Sequence, residues 1–563
     1  MPRTHKRKAA HEGTQAGPVA GPASPDRLIG FLDRRCGLLA FALILFGSLR
    51  IVSTYTVFNH TADEPATVAC GMEWLDKGVY TWEPQHPPLA RVAAALGPYL
   101  SGIRSQGTPR VAAETTMLSE GLKILYYGHR YDRTLTLARL GILPFFWVAC
   151  LTVYWWGRRY FSPAVGVVAL FLFSFLPPIL AHSGLATLDM AQTAFLGAAF
   201  LAGLIWIEQP TAVRAACFGA ATGLMVLSRL STLGFFPVIV ALSLAGYLIG
   251  ERPSLQATFA SVKRRIPTFA LAVLAGFLTI WAGYRFSFGK VPFAGFPLPF
   301  PELFAGLKRM VEHTATGAPS YLLGAYSDKG FWDFYFVGIG VKSPLGFLAL
   351  LAVGIVLIFR TGSLYRRPWL PLIFSGGTLL VGMFSTINIG IRHVLPVYVG
   401  LALVAAVAVV RLWETGKDRK WVLAFVGGMV LWVAASSLLS HPDYIPYFNE
   451  LAGSEPENIL VDSDLDWGQD IKRLSQRLHE VGAPSVAWMG FVLADLEKEH
   501  GFPPIHGLNP YAPVEGWNAV GFTVWKGMRR VYWPDRIKPH ERVGKSILLW
   551  YFPPAHAAAP SHN

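Results

Sequence analysis

Eleven apolar runs, each long enough to cross a bilayer as a helix, constrain this chain more than any other feature. They lie near 37–58, 135–157, 162–181, 190–207, 212–229, 232–249, 266–284, 343–359, 369–387, 394–411 and 421–439. A hydrocarbon core is spanned by roughly 17–25 apolar residues. Backbone amides in lipid must be satisfied within the segment, so helices are expected. Composition agrees: 53% of the 563 residues are hydrophobic and 15% are charged, against roughly 25% charged in a soluble domain. An α-helical polytopic membrane protein with about 11 transmembrane helices is predicted.

Lys and Arg set the expected orientation, because short cytoplasmic loops retain an excess of them. Arg3, Lys6, Arg7, Lys8, Arg27, Arg34 and Arg35 precede the first run. With eleven crossings, the loops bearing Arg158-Arg159, Lys263-Arg264-Arg265, Arg366-Arg367 and Lys417-Asp418-Arg419-Lys420 fall on the same, cytoplasmic side. Residues 59–134, 182–189, 285–342, 388–393 and those after about 440 then lie outside the cytoplasm. The chain divides into a disordered basic cytoplasmic tail over 1–36, a transmembrane domain over 37–440 with an interfacial outer loop at 59–134, and an extracytoplasmic α/β domain over 441–563. The first run lies too far in, and is too long, for a cleavable signal peptide. A multi-pass protein of the cell inner or plasma membrane is expected. Its net charge of +14 follows from topology and anionic lipid, with no recognition module that would imply nucleic acid. Of four cysteines only Cys70 is expected to face outward, so packing and not a disulfide must hold the outer parts.

In the outer loop, Ala66–Asp76, Leu89–Leu96 after Pro87-Pro88, and Leu118–Tyr127 are expected as short helices on the membrane surface. In the terminal region, Ile459–Asp462, Ser485–Phe491, Val520–Val524 and Ser546–Tyr551 are expected as strands and Trp467–Val481 as a helix.

Asp63-Glu64, directly after the first run, places two carboxylates at a membrane edge, where an ionisable group reads as functional. Thr187-Leu188-Asp189 adds a third carboxylate in a very short outer loop, and His86-Pro87-Pro88-Leu89 a histidine. Each has a structural alternative. Asp63-Glu64-Pro65 and Asp189 suit helix N-termini, and His86 suits a turn. Lys342 and Arg392 suit snorkelling anchors. Asp63, Glu64 and Asp189 also offer oxygen ligands for a divalent cation such as Mg, Mn or Zn. The run Asp462, Asp464, Asp466, Asp470 starts like a calcium loop but has Trp467 where the sixth-position Gly belongs and Arg473 at the twelfth. Asp464 or Asp466 is expected to cap the helix beginning near Trp467.

Asp63-Glu64, the His86-Pro87-Pro88-Leu89 segment and Thr187-Leu188-Asp189 together resemble the lipid-carrier-dependent glycosyltransferases of the GT-C superfamily, in the branch of protein O-mannosyltransferases and aminoarabinose transferases. The runs Tyr447-Phe448-Asn449-Glu450-Leu451-Ala452-Gly453 and Val461-Asp462-Ser463-Asp464-Leu465-Asp466-Trp467-Gly468-Gln469-Asp470 resemble a bacterial subgroup of unassigned substrate. The resemblance extends over nearly the whole chain. It implies a GT-C-like fold and an inverting single displacement from a polyprenyl-phosphate-linked sugar donor. Such chemistry needs one base for the acceptor proton. Asp63 is the candidate, with Glu64 and Asp189 as further catalytic carboxylates. The leaving phosphate needs cations, for which Lys342 and Arg392-His393 are placed, with His86 and Arg229 beside them. The acceptor is an extracytoplasmic protein, glycan or lipid. A polytopic transporter or flippase of a lipid-linked sugar, and a non-catalytic envelope assembly scaffold, are the alternative classes.

Overall fold

The computed structural model describes residues 27–109, 113–291, 295–360 and 367–554. Residues 1–26 of the expected tail lie outside this set. Residues 27–36 are helical, because the first helix runs Arg27–Val52 and starts ahead of the apolar run at 37.

All eleven apolar runs form helices. Among the described residues, seven helices are by themselves long and apolar enough to cross a membrane: Arg27–Val52, Tyr131–Tyr160, Asp189–Glu208, Thr232–Glu251, Leu255–Gly283, Val397–Thr415 and Lys420–Leu439. Two bent pairs bring the number to nine, Pro163–Ser174 with Pro177–Ser183 (68°) and Phe334–Lys342 with Leu345–Arg360 (118°). Both breaks come just before a proline, Pro177 and Pro344, which supplies no amide hydrogen and disfavours a helical residue ahead of it. Ala212–Ser228 and Leu370–Met383 are apolar but shorter. The latter's 14 residues rise only roughly 21 Å. Val397–Thr415 is the central helix, buried at every residue from Val397 to Val410 and packed by Pro163–Ser174, Leu345–Arg360 and Leu370–Met383.

The regions read as outer gather at one end of the bundle. Asn59 donates to the Gly468 carbonyl (2.6 Å) and accepts from the Ile471 amide (2.8 Å). Gln85 meets His313 at 2.9 Å, and Asn449 donates to the Gly340 carbonyl at 2.6 Å. At the other end Asp33 accepts the Ala164 amide (2.8 Å) and Arg265 donates to the Ile207 carbonyl (2.6 Å). This segregation is what the alternation of basic loops requires.

The first outer loop forms helices Glu64–Met72, Pro88–Leu100 and Ala113–Leu125. The first does not lie on a surface as expected: all nine of its residues are buried, between the other two. Gly71 permits this approach, since a Cβ there would stand 1.9 Å from the Arg91 carbonyl oxygen.

Glu64 holds this helix in place. It is fully buried, takes two hydrogen bonds from Arg139, each 2.8 Å, and accepts the amides of Thr61 and Ala186 at 2.8 Å. Burial alone would raise its pKa. The Arg139 guanidinium and these hydrogen bonds outweigh burial and hold the carboxyl below its usual value. The expected catalytic role is therefore corrected to a structural one, because every lone-pair direction is spent inside the protein.

The terminal domain is a five-stranded mixed sheet in the order Ile505–Gly507, Val486–Met489, Gly516–Gly521, Ile547–Phe552, Glu541–Val543. The first two pairings are parallel and the last two antiparallel. Helix Ile471–Glu480 sets Ile471, Leu474 and Leu478 against one face, with Val486, Ala519 and Leu549. The other face buries Val520, Phe522, Trp533 and Trp550 together with Tyr321 from the segment before the eighth run. Two strand expectations are corrected. Residues 456–458 and 462–464 are short 3₁₀ turns, and the strand expected to reach Val524 stops at Gly521. The cause is Asp466, whose carboxylate takes the Thr523 amide (2.8 Å) and the Gly468 amide (3.0 Å), giving the backbone a partner other than the ladder. Neither Asp464 nor Asp466 caps the helix, which starts after Asp470 without a side-chain cap. All four cysteines are free.

Glu64→Gln leaves the Arg139 guanidinium buried without a counter-charge, a defect that costs about 3–5 kcal/mol. A clear fall in the thermal unfolding midpoint of the detergent-solubilised protein is expected. An unchanged midpoint would refute the clamp.

Candidate active site

Asp63 is the residue that enters the first outer helix, yet its carboxylate makes no capping hydrogen bond. It reaches instead to Arg392, whose Nη1 lies 2.7 Å from Oδ2. The side chain of Asp63 is 46% exposed while that of Arg392 is 7% exposed. A buried cation thus holds an accessible carboxylate.

Arg392 sits in the turn Ile391–Val394 between two apolar helices. Its Nη1 also lies 3.9 Å from Asp189, its Nε donates to Ser463 Oγ at 3.1 Å, and its guanidinium lies 4.2 Å from the Trp467 ring centroid. Burial opposes its charge, but Asp63, Asp189 and Asp462 outweigh burial and raise its pKa above the ordinary arginine value. The neighbouring Gly390 adopts φ 145°. A Cβ there would meet Ser463 Oγ at 2.1 Å, so this seam closes only around glycine.

Asp189 begins the helix Asp189–Glu208 and is 1% exposed. It pairs with Arg229, and Thr187 donates to it at 3.1 Å. Arg229 closes the helix Ala212–Ser228 and also reaches Gln192 at 3.4 Å. The expected residues Asp63, Asp189, Arg229 and Arg392 therefore form one network with two negative and two positive groups.

The other expected phosphate ligands are placed differently. Lys342 is 2% exposed and donates to the carbonyls of Ile445 and Asp464, each 2.6 Å, with its ammonium 4.2 Å from the Phe448 ring centroid. It ties the terminal segment to the bundle and does not reach Arg392. Its position at a helix end allowed a snorkelling or phosphate-binding reading because sequence does not show that the terminal segment folds over it. His86 bonds Glu83 at 2.6 Å, which in turn pairs with Arg91. No described contact joins His86 to Asp63. His393 lies beside Arg229 and Arg392, and burial together with those two guanidiniums pushes its pKa well below the usual histidine range. It brings a neutral ring, not a charge.

The carboxylates do not fit a divalent ion. Glu64 is committed to Arg139, and Asp63 and Asp189 share Arg392, whose positive charge repels a cation. Among the described residues no group of three or more His, Cys, Asp or Glu is disposed to hold a metal.

Sequence reading missed His182, Ser463 and Trp467. His182 is 3% exposed, its Nδ1 has no hydrogen-bond partner, and its ring lies 6.1 Å from that of Trp467. It falls in the same short loop region as Asp189, but a lone histidine among apolar residues carries no signal of its own. Ser463 and Trp467 lie in the Val461–Asp470 run, whose local pattern suggested helix capping and gave no hint of a partner in the bundle.

No protein-family model matches the sequence, and no curated protein matches it. Several solved structures are similar, among them the following three. ArnT from Cupriavidus metallidurans, bound to undecaprenyl phosphate, aligns with a TM-score of 0.50 at 12% identity over 90% of this chain and 97% of that chain. Its apo state gives 0.48 at 11% identity with the same coverage. An oligosaccharyltransferase from Archaeoglobus fulgidus in the apo form gives 0.41 at 14% identity over 72% of this chain and 55% of that chain. At these identities the likeness is one of fold, and the first alignment carries it: the chain shares that structure's fold and is a multi-pass helical membrane domain with a small terminal sheet domain.

Proposed function

We propose that the protein transfers a sugar from a polyprenyl-phosphate donor to an extracytoplasmic acceptor, with inversion and with Asp63 as the general base. The observation that carries this reading is the half-exposed Asp63 carboxylate held by the buried Arg392, in a fold shared with a protein whose structure holds undecaprenyl phosphate.

The charge balance suggests the order of events. Before substrate arrives, Asp63 and Asp189 match Arg392 and Arg229. The donor's phosphodiester adds a negative charge, which Arg392 meets through Nη2, an atom with no hydrogen-bond partner among the described residues. As Arg392 turns to phosphate, Asp63 is released to the acceptor. The acceptor's O–H or N–H proton passes to Asp63 while its heteroatom bonds to the anomeric carbon. The bond from that carbon to the phosphate oxygen breaks, and the electron pair leaves with the phosphate. The leaving group gains a second charge in this step, so Arg392 and Arg229 bind it more strongly than the ground state. Asp189, more deeply buried, holds both arginines throughout. The N-terminus lies in the cytoplasm and the terminal domain outside it.

Asp63→Asn is expected to lower release of free polyprenyl phosphate from a labelled donor by about 10²–10⁴-fold in nanodiscs supplied with envelope acceptor, with the carrier still bound. Retained turnover would remove Asp63 as the base. Because guanidinium groups supply the positive charge, EDTA is expected to leave the rate unchanged. A loss reversed by Mg, Mn or Zn would overturn that part of the reading.

A further inference from the structure

A cavity of about 450 Å³ lies between the terminal domain and the segment 318–328. Its volume is that of a ligand pocket. Asp462, Asn388, Tyr321, Tyr326, Arg529 and Arg530 are among the residues that line it. Asp462 adjoins Ser463, which contacts Arg392, and the charges of Arg392 and Asp63 both act on the Asp462 carboxyl. The cavity therefore abuts the active-site network from outside the bundle.

Three features describe its occupant. Asp462 is held at φ 55°, and its carboxylate accepts a hydrogen bond only from the amide of Ser463, at 2.6 Å. The remaining carboxylate capacity faces no protein donor among the described residues. A wall of Tyr321 and Tyr326 stands beside it, with the Arg529 guanidinium 4.6 Å from the Tyr326 ring centroid. Arg529 and Arg530 are exposed at the rim. A carboxylate for a hydroxyl, aromatic faces for C–H surfaces, and two guanidiniums for an anionic substituent are the needs of an acidic carbohydrate. An acyl chain would use none of the polar groups.

We propose that this cavity is the acceptor subsite and takes an acidic carbohydrate, with Asp462 accepting a hydrogen bond from a hydroxyl other than the one to be glycosylated and Arg529 and Arg530 pairing with its anionic group. The inference rests on the transferase reading. Burial pushes the Asp462 carboxyl up to about 7, with Asp63 and Asp464 adding to the rise and Arg392 opposing it. A carboxylate so raised is a stronger hydrogen-bond acceptor than an ordinary one.

Asp462→Asn is a clean variant. Asn tolerates the left-handed backbone and keeps an oxygen for the Ser463 amide, so only the charge is lost. The test places a cysteine at Met528, which lines the cavity and is 37% exposed, in a full-length Cys217→Ser background, and follows maleimide labelling in nanodiscs. Envelope extract is expected to slow labelling by about tenfold. Protease treatment of the extract leaves that protection intact, periodate abolishes it, and polyprenyl phosphate alone gives none. Asp462→Asn and the double variant Arg529→Ala/Arg530→Ala each raise the extract concentration needed by about tenfold, the loss of one charge-assisted hydrogen bond, while the labelling rate without extract is unchanged. Protease-sensitive protection, protection by polyprenyl phosphate alone, or no protection overturns the proposal. Carrier release measured alongside separates the two readings, since glycan protection without release refutes transfer but leaves the site.

Discussion

One buried guanidinium joins the parts of this molecule that its chemistry needs. Arg392 comes from the turn between two apolar helices, Asp63 from the first outer loop, Asp189 from the second, and Ser463 and Trp467 from the terminal segment. A charge taken out of water is tolerated only when it is paired and hydrogen-bonded, so the cation forces these elements into register. The same requirement leaves one partner on the surface. Asp189 is enclosed, and Asp63 stays open to whatever approaches from outside.

The acidic run 462–470 serves the same seam in a way its spacing disguises. Alternate aspartates invite a cation-loop reading, but each one meets protein. Asp464 accepts the Ile391 amide at 3.2 Å and offers its carbonyl to Lys342. Asp466 captures the Thr523 and Gly468 amides. Asp470 takes the Lys545 amide (3.0 Å) and the Ser546 hydroxyl (2.9 Å). These carboxylates staple the sheet domain to itself and to the bundle. Asp462 alone turns toward an open cavity. The terminal domain is thereby part of the wall of the site and not an appendage.

The bundle was legible in the sequence because lipid makes its demand locally: each apolar run had to be helical whatever it packed against. The alternation of basic loops likewise predicted which segments share an end, and hydrogen bonds across that end agree. Three carboxylates, Asp63, Glu64 and Asp189, stood out for the same local reason. Their roles were not legible, because a role depends on the partner. Arg139 lies 75 residues from Glu64 and Arg392 lies 329 residues from Asp63. Lys342 misled for a related reason: the carbonyls that enclose it belong to Ile445 and Asp464, and backbone acceptors leave no mark in a sequence. The strand expected at 459–462 failed because that backbone bonds elsewhere: the Ile459 and Leu460 amides go to the Pro456 carbonyl and the Asp462 amide to the Thr523 hydroxyl.

Asp63 and Glu64 show how much a single position decides. They are adjacent, carry the same group, and stand at the same helix entrance. Glu64, the first residue of the helix, is turned inward to Arg139 with 0% of its side chain exposed. Asp63 is one residue earlier, and its side chain leaves on the opposite side toward Arg392 with nearly half its surface open. A group that must exchange a proton with a substrate has to be reachable and has to be able to give up its resting partner. The five hydrogen bonds from Arg139, Thr61 and Ala186 to Glu64 form a closed set inside the protein. Asp63 has a single ion-pair contact, from Arg392, and keeps nearly half of its side-chain surface open. The neighbouring carboxylates therefore differ in setting: Glu64 is locked into the wall, and Asp63 is left accessible.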